Sequence, residues 1–250
     1  MHTKINNKIK VIFFDLGETI VELSTFPLCM CASLQNHLSS FSLDFNELAY
    51  QWGYVSHGLF MECREKEFVT ARQLHFLGLH KVLKNHGIPI TDTLARTIVE
   101  DAWQDFIKNN KLCPDALPVL HQLKQLGFKL GVITDCDSNV AKGVLRKHDL
   151  MDLFTVKVIS EEMRIYKPHP RLFKEAIKLA QCTPEEGVYA GDSEIDIKGA
   201  KEIGLVTVII GQSVIQNQEL GVTADFKIAR LSELPPLLSK KRLELPTIKK

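Results

Sequence analysis

The chain has 250 residues, of which 45% are hydrophobic and 24% charged, and its formal net charge at pH 7 is +1. This length and composition are typical of a soluble globular protein with a sizeable core. The small net charge argues against a nucleic-acid or membrane-surface role that depends on bulk charge, although a local positive site can still take an anionic substrate.

The six cysteines indicate no disulfide framework, because no Cys-x-x-Cys pair occurs and the spacing is irregular. Cys29 and Cys31 are one residue apart and could touch a metal, but buried thiols are the more usual outcome. The polar first ten residues are unlike a signal peptide, and the apolar runs are far shorter than the roughly 18 residues that cross a bilayer. We therefore expect a reduced, cytoplasmic protein.

The first predicted element is a buried strand, Val11–Phe14, which ends at the carboxylate of Asp15. Gly17 follows two residues later and lets the backbone turn sharply. In open α/β sheets, ligands bind outside the carboxyl ends of the strands. Asp15 is thus predicted at the mouth of a site, as a nucleophile or a cation ligand. The alternative is an acidic residue that begins an ordinary turn.

A helical region is predicted next, because strand signals fade between residues 22 and 112. Two mainly apolar stripes at helical spacing predict buried helix faces: Leu28, Cys31, Gln35 and Leu38, and then Leu94, Ile98, Ala102 and Phe106. Asp44 and Thr91 are predicted N-caps. We expect an insertion of about four helices that stands over the strand end carrying Asp15.

The remaining chain alternates between helices and strands. The predicted elements are a helix over 116–126, a strand over 128–134, a helix with Ser138 as N-cap, a strand over 154–159, a helix over 171–181, a strand over 188–190, a helix over 195–203 and a strand over 206–210. This alternation predicts parallel strands with helices on both faces. From Leu234 onward, a basic segment that contains prolines is predicted to be a solvated tail.

Polar side chains stand at the ends of these strands and in one loop. They are Asp15, Thr134, Lys167 and the pair Asp192 and Asp196. Parallel topology brings strand ends to one edge, where three carboxylates repel one another unless a cation such as Mg²⁺ lies among them. Lys167 offers a positive charge to an anion, and Thr134 offers a hydroxyl and a backbone N–H. Singly, each residue also fits an ordinary structural role; together they predict a phosphoryl-transfer site.

The sequence resembles the haloacid dehalogenase (HAD) superfamily over nearly its whole length, because four motifs of that family occur in order. They are Phe14-Asp15-Leu16-Gly17-Glu18-Thr19, Val132-Ile133-Thr134, Lys167-Pro168-His169-Pro170 and Gly191-Asp192-Ser193-Glu194-Ile195-Asp196. The resemblance implies an α/β fold with a Rossmann-like parallel-sheet core at residues 1–21 and 113–250. It also implies an α-helical cap domain at residues 22–112.

The resemblance also implies roles for the motif residues. Asp15 attacks the substrate phosphorus and forms an aspartyl-phosphate intermediate. The ligands of Mg²⁺ are Asp15, the backbone carbonyl of Gly17 and Asp192, while Asp196 is a ligand or an orienting residue. Thr134 and Lys167 hold the oxygens of the transferring phosphoryl group.

Gly17 departs from the family pattern, which usually has an aspartate two residues after the nucleophile as the acid/base. A glycine cannot transfer protons, and this catalysis typically contributes roughly 10²–10⁴-fold. Glu18 is the nearest replacement, although its side chain is expected to point elsewhere. Residues of the predicted cap are further candidates: His57, Arg64, Arg72, His75 and His80.

The leading functional hypothesis is a Mg²⁺-dependent phosphatase of a small phosphorylated metabolite. One alternative is a 2-haloacid dehalogenase, which also uses an aspartate nucleophile and often lacks the second acid. Asp192 and Asp196 favour phosphate chemistry, because a dehalogenase needs no metal. The other alternative is a catalytically weak binding or regulatory protein of the same fold, which only Gly17 supports.

Overall fold

The computed structural model describes residues 9–64, 66–211 and 223–238. Its strands are β1 (Val11–Phe14), β2 (Val21–Glu22), β3 (Lys111–Leu112), β4 (Lys129–Thr134), β5 (Val156–Ile159), β6 (Gly187–Gly191), β7 (Val206–Ile210) and β8 (Phe226–Ile228). Its helices are α1 (Phe26–Leu38), α2 (Phe45–Cys63), α3 (Ala71–Asn85), α4 (Asp92–Asn109), α5 (Ala116–Gln125), α6 (Ser138–Lys147), α7 (Ser160–Met163), α8 (Pro170–Ala180), α9 (Glu194–Glu202) and α10 (Leu234–Leu238).

Six parallel strands form one sheet in the order β5-β4-β1-β6-β7-β8, which confirms the predicted α/β class. β1 lies in the middle, and all four of its residues are buried because helices cover both faces of the sheet. The chain continues from β1 to β4 on one side and later returns to β6 on the other. The carboxyl ends of β1 and β6 therefore lie at the point where the strand order reverses, a usual position for ligand sites.

Helices cover the two faces of the sheet with separate apolar cores. α5, α6 and α10 contribute to the core on one face, which includes Leu120, Val144 and Leu234. α8 and α9 contribute to the core on the opposite face, which includes Phe173 and Ala200. This packing holds the strand ends rigidly, because apolar burial fixes each helix against the sheet.

The helices α1–α4, here called the helical layer, pack around an apolar core of their own. The predicted N-caps are confirmed: Asp44 accepts from Asn46 N at 3.0 Å, and Thr91 accepts from Leu94 N at 3.2 Å. The short antiparallel pair of β2 and β3 joins the two ends of the chain that enter and leave this layer. We propose that the helical layer acts as a cap over the sheet.

One of the two predicted helix faces is correct. On α4, Ile98, Ala102 and Phe106 are buried as predicted. On α1, the predicted stripe is only half right: Leu38 is buried and Cys31 half-buried, but Leu28 is 65% exposed and Gln35 also faces solvent. The buried residues of α1 are Cys29, Met30, Ser33, Leu34 and Leu38.

Two further predictions are corrected. Ser138 is the first residue of α6, and Asp137 occupies the N-cap position. The segment after Leu234 does not begin as a solvated tail, since α10 buries Leu234 completely and leaves Leu238 only 7% exposed. The basic residues of that predicted tail lie outside the described residues: Lys240, Lys241, Arg242, Lys249 and Lys250.

Among the described helices, none combines the length and the apolar character that crossing a membrane requires.

An aromatic cluster lies where the helical layer meets the sheet core. Phe26 stacks on Trp103 with ring centroids 4.1 Å apart, and His75 contacts both rings edge-on at 5.1 and 5.3 Å. Trp52 also contacts His75 edge-on, and its Nε1–H donates to the His75 carbonyl at 2.7 Å. The Nδ1 atom of His75 has no hydrogen-bond partner among the described residues. Burial lowers the pKa of His75 to about 3.

This shifted pKa predicts that His75 weakens the fold in acid. The unfolded chain takes up a proton on His75 near pH 6.5, whereas the native protein does so only near pH 3. The contribution of His75 to the free energy of unfolding is therefore fully present above pH 6.5. It decreases on acidification, by up to about 1.4 kcal/mol per pH unit. His75→Phe is expected to reduce this fall between pH 7 and pH 5, measured by urea unfolding with tryptophan fluorescence. The same change at exposed His57 is the control, and an unaltered slope in His75→Phe would contradict the prediction.

Candidate active site

The candidate site lies at the carboxyl edge of the sheet, where Asp15 follows β1. Phe14 is paired with Ala190 of β6 and with Val132 of β4. The backbone N–H of Asp15 donates to the Ala190 carbonyl at 3.0 Å, so the strand pairing extends as far as the carboxylate-bearing residue. Asp15 is held on a rigid element, and its side chain is mostly buried, with 13% of its surface exposed.

Lys167 connects two carboxylates that are distant in sequence. Its Nζ donates to Asp15 Oδ1 and to Asp196 Oδ1, both at 2.7 Å. The side chain of Lys167 is only 4% exposed, and Asp196 is fully buried. Although burial acts to lower it, the charges of Asp15, Asp196 and Asp135 raise the pKa of Lys167 above its ordinary value. Position 167 therefore carries a fixed ammonium group.

Asp196 is held in place by four hydrogen bonds. Oδ1 accepts from Lys167 and from the Tyr189 hydroxyl at 2.8 Å. Oδ2 accepts from the Ser193 hydroxyl at 2.7 Å and from the Ser193 backbone N–H at 3.3 Å, within the capping box that begins α9. Gly191 makes room for this arrangement, because a Cβ there would lie 2.5 Å from Asp196 Oδ2.

Three carboxylates converge at this edge of the sheet. Each of Asp15, Asp192 and Asp196 has one carboxylate oxygen that lies within 4.8 Å of the corresponding oxygens of the other two. Burial, together with the charges of Asp196 and Asp192, raises the pKa of Asp15 to about 8 against the opposing charge of Lys167. Burial and the charge of Asp196 raise the pKa of Asp192 to about 6. Such crowding favours a bound cation, and in the described part of the chain neither Cys29 nor Cys31 belongs to a comparable group.

Thr134 ends β4 at the same edge and is 4% exposed. Its carbonyl accepts from the Ser160 hydroxyl at 2.8 Å. The next residue, Asp135, also accepts from Ser160 at 2.6 Å and from the Lys167 backbone N–H at 3.0 Å. Asp135 and Tyr189 were not among the predicted site residues. The sequence holds a signal for each: Asp135 is an acid directly after Thr134, and Tyr189 is a lone hydroxyl in the apolar strand β6.

The loop after Asp15 contains the two residues at which proton transfer is in question. Gly17 forms an isolated bridge with Val21, and a Cβ added to it would lie 3.1 Å from Leu23 Cδ1. Glu18 has a left-handed backbone, with φ 51°, and its Oε1 accepts from the Leu23 backbone N–H at 2.7 Å. The Glu18 carboxylate therefore accepts a hydrogen bond from the backbone of its own loop.

The five candidate residues of the helical layer have different surroundings. His57 is exposed, and His80 lies 3.3 Å from Asp92 within the layer. His75 belongs to the aromatic cluster. The other two candidates contact the sheet core: Arg64 lies 3.3 Å from Asp135, and Arg72 lies 3.5 Å from Asp137. No contact between any of the five and Asp15 is found among the described residues.

Comparison with known proteins links this geometry to one family. The family model described as haloacid dehalogenase-like hydrolase matches residues 12–210. A glyceraldehyde 3-phosphate phosphatase from Pyrococcus furiosus is 28% identical to this chain, and the match covers 93% of this chain and 94% of that protein. An (S)-2-haloacid dehalogenase from Pseudomonas sp. strain CBS-3 is 25% identical, with 92% and 96% covered.

A solved structure has the same fold. A magnesium-bound putative HAD-hydrolase from Bacillus subtilis superposes with a TM-score of 0.78 at 22% identity, covering 93% of this chain and 99% of that one. Its description reports interdomain movement in that protein. The described fold of this chain is therefore the fold of that protein.

Proposed function

The chain belongs to the family of haloacid dehalogenase-like hydrolases, and we propose that it is a Mg²⁺-dependent phosphatase of a small phosphorylated metabolite. The observation that carries this proposal is the buried contact of Lys167 with Asp15 and Asp196, beside Asp192. A fixed ammonium beside crowded acids suits an anionic substrate bound together with a divalent cation. The relative named as a glyceraldehyde 3-phosphate phosphatase supports a substrate of this size.

The donors at the site fit Mg²⁺, which prefers carboxylate and carbonyl oxygens. We assign Asp15, Asp192 and the Gly17 carbonyl as its ligands, since no described group donates a hydrogen bond to that carbonyl. Asp196 orients Lys167 and Ser193, because both of its oxygens already accept hydrogen bonds. When bound, Mg²⁺ offsets the charge of the carboxylates and of the phosphoryl oxygens.

The side chains then divide the reaction into two displacements at phosphorus. A carboxylate oxygen of Asp15 forms a bond to phosphorus as the bond to the leaving oxygen breaks, and the leaving oxygen takes a proton from water. Water then attacks the phosphorus of the aspartyl phosphate, which releases inorganic phosphate and restores the carboxylate. Lys167 and Thr134 hold the phosphoryl oxygens through both steps, and the ammonium stabilises the charge that they carry.

Gly17 limits which substrates react quickly. With no acid at this position, the leaving oxygen departs without a side-chain proton donor, so good leaving groups are hydrolysed faster than simple alcohols. Glu18 is not placed to replace the acid, because its carboxylate is bound to Leu23 N. We therefore expect a slow enzyme unless a residue of the helical layer supplies the proton.

A second candidate is 2-haloacid dehalogenase activity, in which Asp15 displaces a halide from carbon. The observation that favours it is Gly17, since a halide leaves without protonation. The group formed by Asp15, Asp192 and Asp196 argues against it, because displacement of a halide needs no cation. The third candidate, a binding or regulatory protein, rests on Gly17 alone.

One experiment separates the three candidates. The purified chain is given p-nitrophenyl phosphate with Mg²⁺ or with EDTA, and in parallel 2-chloropropionate without metal. We expect phosphate release that requires Mg²⁺ and no release of chloride. Chloride release without metal would establish the dehalogenase, and inactivity toward both substrates would favour the binding protein.

Lys167→Ala is expected to weaken the binding of orthovanadate about tenfold or more. The lost contact is a hydrogen bond from a charged donor, which contributes roughly 1.5–3 kcal/mol. Isothermal titration calorimetry with Mg²⁺ present measures the affinity. Lys174→Ala removes an exposed lysine of α8 and serves as the control. Equal affinity in Lys167→Ala and the wild type would dismiss the role proposed for Lys167.

A further inference from the structure

The peptide unit around Lys167 is held from two sides. Asp135 Oδ1 accepts from the Lys167 backbone N–H at 3.0 Å. Arg64 Nη1 donates to the Lys167 carbonyl at 2.9 Å. The two holding side chains also form an ion pair, with Arg64 Nη2 3.3 Å from Asp135 Oδ2. Together they bracket the backbone of the residue whose ammonium contacts Asp15.

These two side chains come from different parts of the fold. Asp135 follows β4 and is anchored by the Ser160 hydroxyl at 2.6 Å. Arg64 directly follows α2, so it belongs to the helical layer. Its guanidinium also lies 4.5 Å from the centre of the Phe60 ring of α2, which fixes the side chain to that helix. The backbone of Lys167 is therefore held partly by the sheet core and partly by the helical layer.

The terminal guanidinium nitrogens of Arg64 contact Lys167 and Asp135, and no contact of Arg64 with Asp15 is found among the described residues. Nη1 is engaged by the Lys167 carbonyl and Nη2 by Asp135. The side chain is 13% exposed, and that of Asp135 is 8% exposed. These contacts connect Arg64 to the reacting carboxylate through Lys167, whose ammonium lies next to Asp15.

We propose that Arg64 and Asp135 are positioning residues that set the place of the Lys167 ammonium between Asp15 and Asp196 when the helical layer lies against the sheet core. This inference rests on the proposed function, since it concerns how the phosphoryl-binding group is held. Withdrawal of the helical layer removes one of the two supports of the Lys167 peptide. The affinity of the site for a phosphoryl group thus depends on the position of the helical layer.

A second contact between the same two parts of the fold provides a matched control. The carboxylate of Asp137 accepts from the backbone N–H groups of Ala71 and Arg72, at 2.8 and 3.0 Å, at the start of α3. Arg72 Nη1 also lies 3.5 Å from Asp137. This contact joins the helical layer to the core as the Arg64 contact does, and it includes no atom of Lys167.

The test is the affinity for orthovanadate with Mg²⁺ in Arg64→Met and in Arg72→Met. We expect Arg64→Met to weaken binding about tenfold, the size expected when a hydrogen bond that holds a charged group is lost. Arg72→Met is expected to bind as the wild type does. Unchanged binding in Arg64→Met, or equal weakening in both variants, would overturn the proposal.

A double-mutant cycle separates positioning from general loosening. In a Lys167→Ala background, Arg64→Met is expected to cause no further loss, because its effect passes through the missing ammonium. A full additional loss would contradict the proposal. If Lys167→Ala binds too weakly to measure, a crystal structure of Arg64→Met decides: displacement of Lys167 Nζ from Asp15 supports the proposal, and an unmoved Nζ refutes it.

Stability requires a second variant, because Arg64→Met leaves the buried charge of Asp135 unpaired. Arg64→Met/Asp135→Asn removes both charges and is expected to fold with the same loss of affinity. Orthovanadate binding is measured without turnover, so this proposal can fail while p-nitrophenyl phosphate is still hydrolysed. Conversely, a chain that shows the predicted affinities but hydrolyses no phosphate ester would contradict the proposed function alone.

Discussion

Asp15→Asn is expected to abolish hydrolysis of p-nitrophenyl phosphate, with a loss of roughly 10³-fold or more in kcat, as for other enzymes that lose their nucleophile. An amide is a poor nucleophile, and in this site it also removes one proposed Mg²⁺ ligand. The fold should remain, because Asn has the shape of Asp and removes the buried charge, whose burial and repulsion by Asp196 and Asp192 raise the pKa of Asp15 to about 8. Steady-state kinetics and thermal unfolding measure the two effects.

The control for this variant is Asp152→Asn, which makes the same change at an exposed acid. It is expected to leave kcat and Tm unchanged. If Asp15→Asn kept the wild-type rate with Mg²⁺ present, Asp15 would not be the nucleophile. If Asp15→Asn unfolded, the carboxylate would have a structural role that its accessible position does not suggest.

Gly17→Asp is expected to increase kcat by about 10²–10⁴-fold for substrates with poor leaving groups, the usual contribution of a general acid and base. The backbone accepts a side chain, since φ at residue 17 is not in the left-handed region and the nearest atom to a new Cβ is Leu23 Cδ1. Leu23 is 44% exposed and can move by the few tenths of an ångström required.

The gain from Gly17→Asp should depend on the leaving group. Glycerol phosphate needs protonation of a poor leaving oxygen, so its hydrolysis should accelerate more than that of p-nitrophenyl phosphate. Gly17→Asn is the matched control, because it has nearly the same size and no titratable group. A gain that is equal in both variants would be a packing effect. No gain in either would indicate that another residue already transfers the proton.

Much of the candidate site follows from a topological rule. Asp15 and Asp192 follow apolar strands and Thr134 ends one, and parallel pairing brings these strand ends to one edge regardless of their separation in sequence. Sequence reasoning groups Lys167 with them, but no strand end fixes its position, because it lies in a loop after α7. Its contacts with Asp15 and Asp196 depend on the tertiary path of that loop.

The contacts that sequence reasoning missed depend on such tertiary paths. The partners of Arg64 are 71 and 103 residues away in the chain, and no local pattern links them. On α1, the predicted stripe is only half right because apolar residues occur on more than one side of the helix, so packing against α2 and α4 decided which side is buried. The short strand β8 and the helix α10 are also too brief to give a clear period.

The most direct measurement for the account as a whole is a crystal structure of the protein grown with Mg²⁺ and beryllium fluoride, a mimic of a phosphoryl group. We predict a beryllium fluoride group bonded to the Asp15 carboxylate, Mg²⁺ held by Asp15, Asp192 and the Gly17 carbonyl, and Lys167 Nζ in contact with a fluoride. An unmodified Asp15 with no metal among the three carboxylates at saturating concentrations would contradict the account.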